Sequence, residues 1–235
     1  MEQGHLVLVT ATIKEMKSLL NKYFNQVPSL QVASPVEWTL NKTKFILLVT
    51  GVGPINAALE MGKLIAGTTL KGVLNFGIAG AFDTEKHPLL TTVVVKEEIW
   101  PEYGLLSETG VDVKGLGFAH GCLNGHKIWD RIELRPEEQI RSLNLFLPDH
   151  WKEGRSLTVS GVSGSPEIAS QRYRTYISDF ENMEGFAIAW ACLREYAPFL
   201  EIRTISNQVG SLDRKDWEIG RALGALSSVF ESLFG

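Results

Sequence analysis

The stretch Gly72–Phe82, GVLNFGIAGAF, decides the fold. Gly72–Phe76 is a short, nearly all-apolar run with the length of a buried strand, and Gly77–Ala81 reads as a glycine-rich turn at its end. On the N-terminal side, His5–Thr10 (HLVLVT) reads as a strand and Lys14–Tyr23 as a helix. Thr12 and Glu15, three residues apart, have the capping-box pattern for that helix. Glu37–Leu40 and Lys44–Thr50 read as paired strands. Gly51-Val52-Gly53-Pro54 is a turn that opens an amphipathic helix over Ile55–Ala66. On the C-terminal side, Thr91–Ile99 is a long strand with VVV in its middle, and Trp100–Ile132 is irregular, with loops and a short hairpin. Pro136–Leu147 reads as a helix, and Ser156–Gly161 as a strand entering the small-residue turn Gly161–Ser165. Pro166–Arg174 is a helix with proline at its first position. The apolar helix Gly185–Tyr196, the strand Phe199–Ser206 and the amphipathic helix Asp216–Phe234 complete the chain. Strands and helices alternate throughout. That predicts an α/β fold, a three-layer αβα sandwich with a mixed, mostly buried central sheet.

The chain has 235 residues, 44% of them hydrophobic, enough for one well-buried core. No Pro/Gly/Ser-rich linker and no repeat divides it, so residues 1–235 are read as a single domain. The net charge of −4 leaves no basic field of the kind nucleic acid requires. The two cysteines, Cys122 and Cys192, stand in unrelated contexts, which suits reduced thiols. The apolar run Leu6–Val9 is too short for a signal peptide or a membrane span, so a cytoplasmic location is expected. The five histidines are dispersed and neither cysteine has a CxxC partner, so no metal site and no organic cofactor is expected.

Four segments combine reactive side chains with strand ends, where α/β folds gather ligands. Each also has an ordinary structural explanation. Glu15 in ATIKEM follows the first strand, and it is equally a capping carboxylate. The turn in NFGIAGAF lets a ligand approach backbone, and it is also a tight crossover; it lacks the GxGxxG and GxxxxGK[ST] spacings of phosphate loops. Glu184 in ENMEGFAIA stands at the mouth of an apolar helix, where the helix dipole favours a carboxylate in any case. EIRTISNQVG runs from a strand into Arg203, Ser206 and Asn207, and an arginine there either pairs with a core carboxylate or lies on a solvated face.

Taken together, in this order, these segments resemble the purine nucleoside phosphorylase and nucleosidase superfamily. The first-strand glutamate, the GxAG turn, the MEG helix start, the RxISN strand end and TGVGPINAAL (Thr50–Leu59) all match its motifs, over nearly the whole chain. The resemblance implies a nucleoside-phosphorylase-like fold, no cofactor, and a purine nucleoside and water as the small-molecule partners. It also implies a homodimer. Carried over residue by residue, Glu15 is the base that activates water, and Arg203 holds the water and a neighbouring carboxylate. Met183 packs on the ribose and Glu184 accepts from its hydroxyls. Ile78, Ala79, Gly80 and Ser206 are further substrate-binding residues, and Asn207 joins Glu15 and Arg203 as a catalytic residue, at the leaving base. The chemistry is coherent, because cleavage of an N-glycosidic bond passes through an oxocarbenium-like sugar that carboxylates stabilise.

Two departures narrow the activity. The superfamily's hexameric phosphorylases hold phosphate with an arginine and a serine around the GxAG turn, where this chain has Asn75 and Ile78. Without cationic partners for phosphate, water is the expected nucleophile. The nucleosidases that cleave 5′-methylthioadenosine carry an aspartate that protonates the departing adenine, where this chain has Asn207. An asparagine donates to a carbonyl oxygen and accepts from an N–H, which suits a 6-oxopurine such as hypoxanthine. EIWPEYG (Glu98–Gly104) and the tail Asn207–Gly210 with Asp213 and Arg214 resemble the futalosine hydrolases. That family releases hypoxanthine from an inosine bearing a 5′ carboxyphenyl-oxopropyl group, on the futalosine route to menaquinone. Trp100 and Tyr103, beside Pro101, are the expected wall for that substituent, with Phe118 and His120 near it; a packed loop or a dimer contact explains the same aromatics. The competing activities are a 5′-methylthioadenosine/S-adenosylhomocysteine nucleosidase, a phosphate-dependent phosphorylase, and a nucleoside-binding protein on the same fold.

Overall fold

The computed structural model describes residues 4–108 and 110–235, with the side chain of Arg214 also outside the description. The Arg214 part of the tail therefore lies outside the described residues. In chain order the elements are β1 (His5–Thr10), α1 (Ile13–Leu19), β2 (Val36–Leu40), β3 (Thr43–Val49), α2 (Pro54–Gly67), β4 (Leu70–Ala81), β5 (Thr92–Ile99), β6 (Leu105–Ser107), β7 (Gly110–Asp112), β8 (Gly121–Leu123), β9 (His126–Ile128), β10 (Arg131–Glu133), α3 (Pro136–Leu143), β11 (Lys152–Thr158), α4 (Pro166–Tyr176), β12 (Phe180–Asn182), α5 (Gly185–Arg194), β13 (Phe199–Gln208) and α6 (Ile219–Phe234). Among the described residues, no helix is long and apolar enough to cross a membrane.

The sandwich follows from strand alternation. Leu6 and Leu8 of β1 join a core with Met16 and Leu19 of α1 and Leu226, Val229 and Phe230 of α6. Val7 and Val9, pointing the other way, join Met61 and Leu64 of α2 and Ile188 and Cys192 of α5. A two-residue period thus feeds two helical layers from one strand. Each fully buried aliphatic side chain contributes roughly 1.5–3 kcal/mol. Parallel pairs β1–β3, β1–β4 and β4–β13 stand beside antiparallel pairs β2–β3, β5–β13 and β4–β12, so the sheet is mixed.

One end of the sheet also closes on itself. β4 pairs β13, β13 pairs β5, β5 pairs β11, β11 pairs β12, and β12 returns to β4. This closure corrects one local reading. Gly77–Ala81 is not a turn: β4 continues through it as strand to Ala81. The glycines are needed for close approach. A Cβ at Gly77 would collide with Nη1 of Arg203, and one at Gly80 would lie 2.8 Å from Cγ2 of Val209. The other boundaries shift little. Helix Lys14–Tyr23 stops at Leu19 and gives way to a 3₁₀ segment, Asn21–Gln26, and the helix begun at Pro136 ends at Leu143. Trp100–Ile132 holds two small hairpins, β6–β7 and β8–β9, rather than one.

Candidate active site

Along one edge of β4, residues up to Asn75 pair with β1, whereas Gly80 and Ala81 pair with β12. Between them that edge has no strand neighbour. Such a split at carboxyl strand ends is where α/β sheets open a crevice. Here a cavity of about 300 Å³ opens, walled by the start of α1, the end of β4, the β12–α5 junction, the end of β13 and the start of α6.

Glu15 fills part of the gap. Its Oε2 accepts from Thr12 N at 2.9 Å and Thr12 Oγ1 at 2.8 Å, and its own N–H donates to Thr12 Oγ1, a complete capping box. Its Oε1 accepts from the N–H of Ile78 at 3.2 Å, a backbone donor on the stretch of β4 that pairs with neither β1 nor β12. The helix cap and the cavity carboxylate are therefore the same residue.

Glu184 enters from the opposite wall. It precedes α5, and its Oε1 accepts from the N–H of Gly53 at 2.9 Å. Gly53, with φ 97, occupies the left-handed region that the turn before α2 requires. Burial raises the Glu184 carboxyl to about 7, against the opposing pull of Arg203 and the Gly53 N–H. The neighbouring Asn182 orders this junction, its Oδ1 accepting from the N–H groups of Glu184 at 2.9 Å and Gly185 at 2.7 Å.

Arg203 lies behind the cavity rather than on it. It is 1% exposed and stands across the sheet from Gly77. A point 2.9 Å from Glu15 Oε1 is in collision range of its Nη1, so the guanidinium and Glu15 face each other over the missing glycine side chain. Its Nε donates to Oε1 of Glu201 at 2.8 Å; Nη2 is equally close to that oxygen but without hydrogen-bond alignment. Burial alone opposes its charge, yet Glu201, Glu184 and Glu15 together raise its pKa. Deeper still, burial and the charge of Glu201 push Glu98 well above the usual carboxylate range. Glu98 accepts from Thr158 Oγ1 at 2.7 Å and Asn182 Nδ2 at 2.6 Å.

At the end of β13 the register slips between Ile205 and Asn207. The bulge brings two consecutive residues, Ser206 and Asn207, to the cavity wall. Asn207 Oδ1 accepts from Ser206 Oγ at 2.8 Å, and its Nδ2 donates to the Gln208 carbonyl at 3.1 Å. One amide N–H and one lone pair remain for a ligand.

The cavity thus brings together Glu15, Ile78, Ala79, Gly80, Met183, Glu184, Ser206 and Asn207. Trp100 and Tyr103 are not on it. They stack on each other at 5.6 Å between centroids and pack with His120, and Trp100 also packs on Phe186 of α5. The loop aromatics are therefore a packed cluster, and the cavity's own indole is Trp217. Phe118 is exposed and holds the Tyr103 hydroxyl through its carbonyl oxygen. Sequence reading missed Lys14, Trp217, Ser163 and Glu181 as lining residues. Glu181 accepts from Ser163 N, Ser163 Oγ and Arg172 Nη1. Glu181 and Asn182 lie inside the ENMEG segment and were within reach of attention to its polar residues; Lys14 is adjacent to Glu15.

The phosphorylase superfamily matches this chain over residues 5–233. The futalosine hydrolase of Thermus thermophilus is 34% identical over 197 residues, 83% of this chain and 83% of that protein. The futalosine hydrolase of Streptomyces coelicolor is 31% identical over 238 residues, 97% of this chain and 94% of that protein. Among solved structures, futalosine hydrolase of Helicobacter pylori superimposes with a TM-score of 0.74 over 98% of both chains at 15% identity. The 5′-methylthioadenosine/S-adenosylhomocysteine nucleosidase of the same organism gives 0.75 over 99% of this chain and 98% of that one at 14% identity. These two likenesses establish the fold, and the two sequence relatives go further: the chain belongs to the phosphorylase superfamily and, within it, to the futalosine hydrolase family.

Proposed function

We propose that this chain hydrolyses the N-glycosidic bond of futalosine and releases hypoxanthine. The observation that carries the reading is its kinship, at 34% and 31% identity over most of its length, to two futalosine hydrolases. The chemistry of the cavity supports it. Glu15 and Glu184 face the space from two walls, as stabilisation of an oxocarbenium-like sugar requires. Glu15 is the base that takes the proton from water, a step of the kind that contributes on the order of 10²–10⁴-fold. Met183 packs on the ribose, and Glu184 in its ionised form accepts from the ribose hydroxyls. Arg203, held off the cavity, acts through the carboxylates as a positioning residue. Asn207 has the free donor and acceptor that a 6-oxopurine needs, and Ile78, Ala79, Gly80 and Ser206 frame the base. Among the described residues no arginine lines the cavity and its one lining lysine, Lys14, is exposed, so phosphate finds no buried cation there, which favours water as the nucleophile.

The reading carries with it a cytoplasmic homodimer. The two free cysteines suit a reducing compartment. Val52 on the cavity wall and Ile55 and Leu59 of α2, at 50%, 81% and 53% exposure, offer a second copy an apolar contact; a monomeric sedimentation coefficient at working concentration would remove the dimer.

The deciding assay is purine release from futalosine, inosine, 5′-methylthioadenosine and aminofutalosine, each with and without phosphate. Phosphate-independent release of hypoxanthine from futalosine, well above the other three, is expected. Preference for the adenine nucleosides would overturn the base assignment at Asn207. A rate that requires phosphate and yields a ribose 1-phosphate product would overturn water as nucleophile.

A further inference from the structure

The ionic character of the cavity is lopsided. Glu15, Glu181 and Glu184 line it and are 5%, 6% and 5% exposed, so its interior is acidic. One basic side chain is among the lining residues: Lys14, exposed, in the first turn of α1. No carboxylate among the described residues pairs with it. Its neighbour Glu15 is committed to Thr12 and Ile78. The other charged groups of α1 and α6 are engaged elsewhere: Lys17 lies over the Phe24 ring, Glu231 pairs with Lys22 just beyond α1, and Arg221 pairs with Glu218. Lysines on a protein surface ordinarily need no partner. This one stands at the mouth of an acidic cavity whose remaining flank is apolar. α6 packs against α1, and Trp217, Ile219 and Leu223 line the same cavity.

A ligand that fits such a site has three parts. Its interior portion presents hydroxyls and N–H groups to carboxylates. Its outer portion is an apolar or aromatic arm that lies along Trp217, Ile219 and Leu223. An anion on that arm is disfavoured beside Glu15 and Glu184, Glu181 being paired with Arg172 at 2.9 Å, and among the described residues that line the cavity its one counter-charge is Lys14 at the rim. We infer that Lys14 is the specificity-determining residue for a nucleoside whose 5′ arm ends in a carboxylate, and that Trp217 with the start of α6 seats the arm itself. This rests on the hydrolase reading above and adds to it the group that recognises the anion.

Lys14 is exposed, so its ion pair with substrate is worth the lower end of a charge-assisted contact, about tenfold in kcat/KM. The test compares futalosine with its carboxylate methyl ester in the wild-type enzyme, in Lys14→Met and in Lys14→Arg. The wild-type chain is expected to prefer the acid over the ester by about tenfold, with the preference shrinking as salt is raised. In Lys14→Met the ratio falls to near one, through a higher KM for the acid; Lys14→Arg keeps it. The same acid preference in Lys14→Met as in wild type overturns the assignment, as does a wild-type enzyme with no preference. Base release from neither nucleoside by the wild-type chain overturns the hydrolase reading itself, and the role of Lys14 with it.

Discussion

The Glu15 carboxylate caps a helix and, in the function proposed, meets substrate with the same two oxygens. Oε2 is taken up by the Thr12 cap, and Oε1, which accepts one backbone N–H, retains a lone pair on the side of the cavity and of Arg203. This division makes a clean substitution available. A capping box accepts glutamine as well as glutamate, so Glu15→Gln keeps α1 in place while removing the proposed base. Turnover of futalosine is expected to fall at least about a hundredfold, with binding of a non-hydrolysed substrate analogue retained. A near-wild-type turnover, measured alongside an unchanged melting curve, would take Glu15 out of the role of base. The capping role was legible in the spacing of Thr12 and Glu15. Its position against the cavity was not, because that rests on Ile78, 63 residues away, and the proposed role as base comes only from resemblance to a family.

At the scale of elements, β4 carries the design of the site. It gives up its β1 partner, passes through residues that leave room for Glu15, and takes up β12. Composition alone separates these stages poorly. GIAGA looks like a turn because glycines usually mark one, and here they mark two side chains crossing close to backbone. β12 is three residues long and is followed at once by the N-terminus of α5, too short for a two-residue period to declare itself. The bulge at Ser206 is likewise invisible in an apolar run. Gly77→Ala tests the close approach. The added methyl collides with Arg203 and sits 2.9 Å from Glu15 Oε1, in a closed sheet that cannot easily yield. A stability loss of about 1–3 kcal/mol is expected from chemical denaturation, with more than a tenfold drop in kcat/KM as the two groups separate. Gly224→Ala on the exposed face of α6, where a methyl meets nothing within 4 Å, is the control. It should leave activity alone and stabilise by up to about 1 kcal/mol. Full activity in Gly77→Ala would mean that the packing of Arg203 against Glu15 is not needed.

In the whole molecule, the closed ring of strands gathers two acids and their polar partners, far apart in sequence, into one buried interior. Glu98 comes from β5, Thr158 from β11, Asn182 from β12 and Glu201 from β13, and they meet because the ring closes. Individual strands gave no hint of this, since a lone glutamate in a strand reads as solvent-facing. Two fully buried carboxylates beside a single Arg203 cannot both be charged without large penalty. Both are raised, Glu98 by burial and by the charge of Glu201, and Glu201 by burial despite Arg203. Glu98 is the one held neutral, since Glu201 keeps the ion pair. Folding therefore retains a proton that the unfolded chain releases above the ordinary glutamate value of 4.5. The stability this group contributes is complete below that pH and declines as pH rises toward its folded value. Glu184, raised to about 7, adds a decline of the same sign between 4.5 and about 7. His87 and His120 act oppositely below the ordinary histidine value of 6.5, because burial lowers both. The measurement that isolates Glu98 is the difference between wild type and Glu98→Gln, which carries a permanently neutral side chain of the same shape. At pH 5 the variant is offset only by hydrogen bonds to Thr158 and Asn182 that it re-forms imperfectly. As pH rises from 5 toward 8, the gap should move in favour of the variant by up to about 1.4 kcal/mol per pH unit, read from urea unfolding at each pH. A gap that does not change with pH would mean that Glu98 is ionised in the folded protein, and that the interior behind α5 holds two negative charges after all.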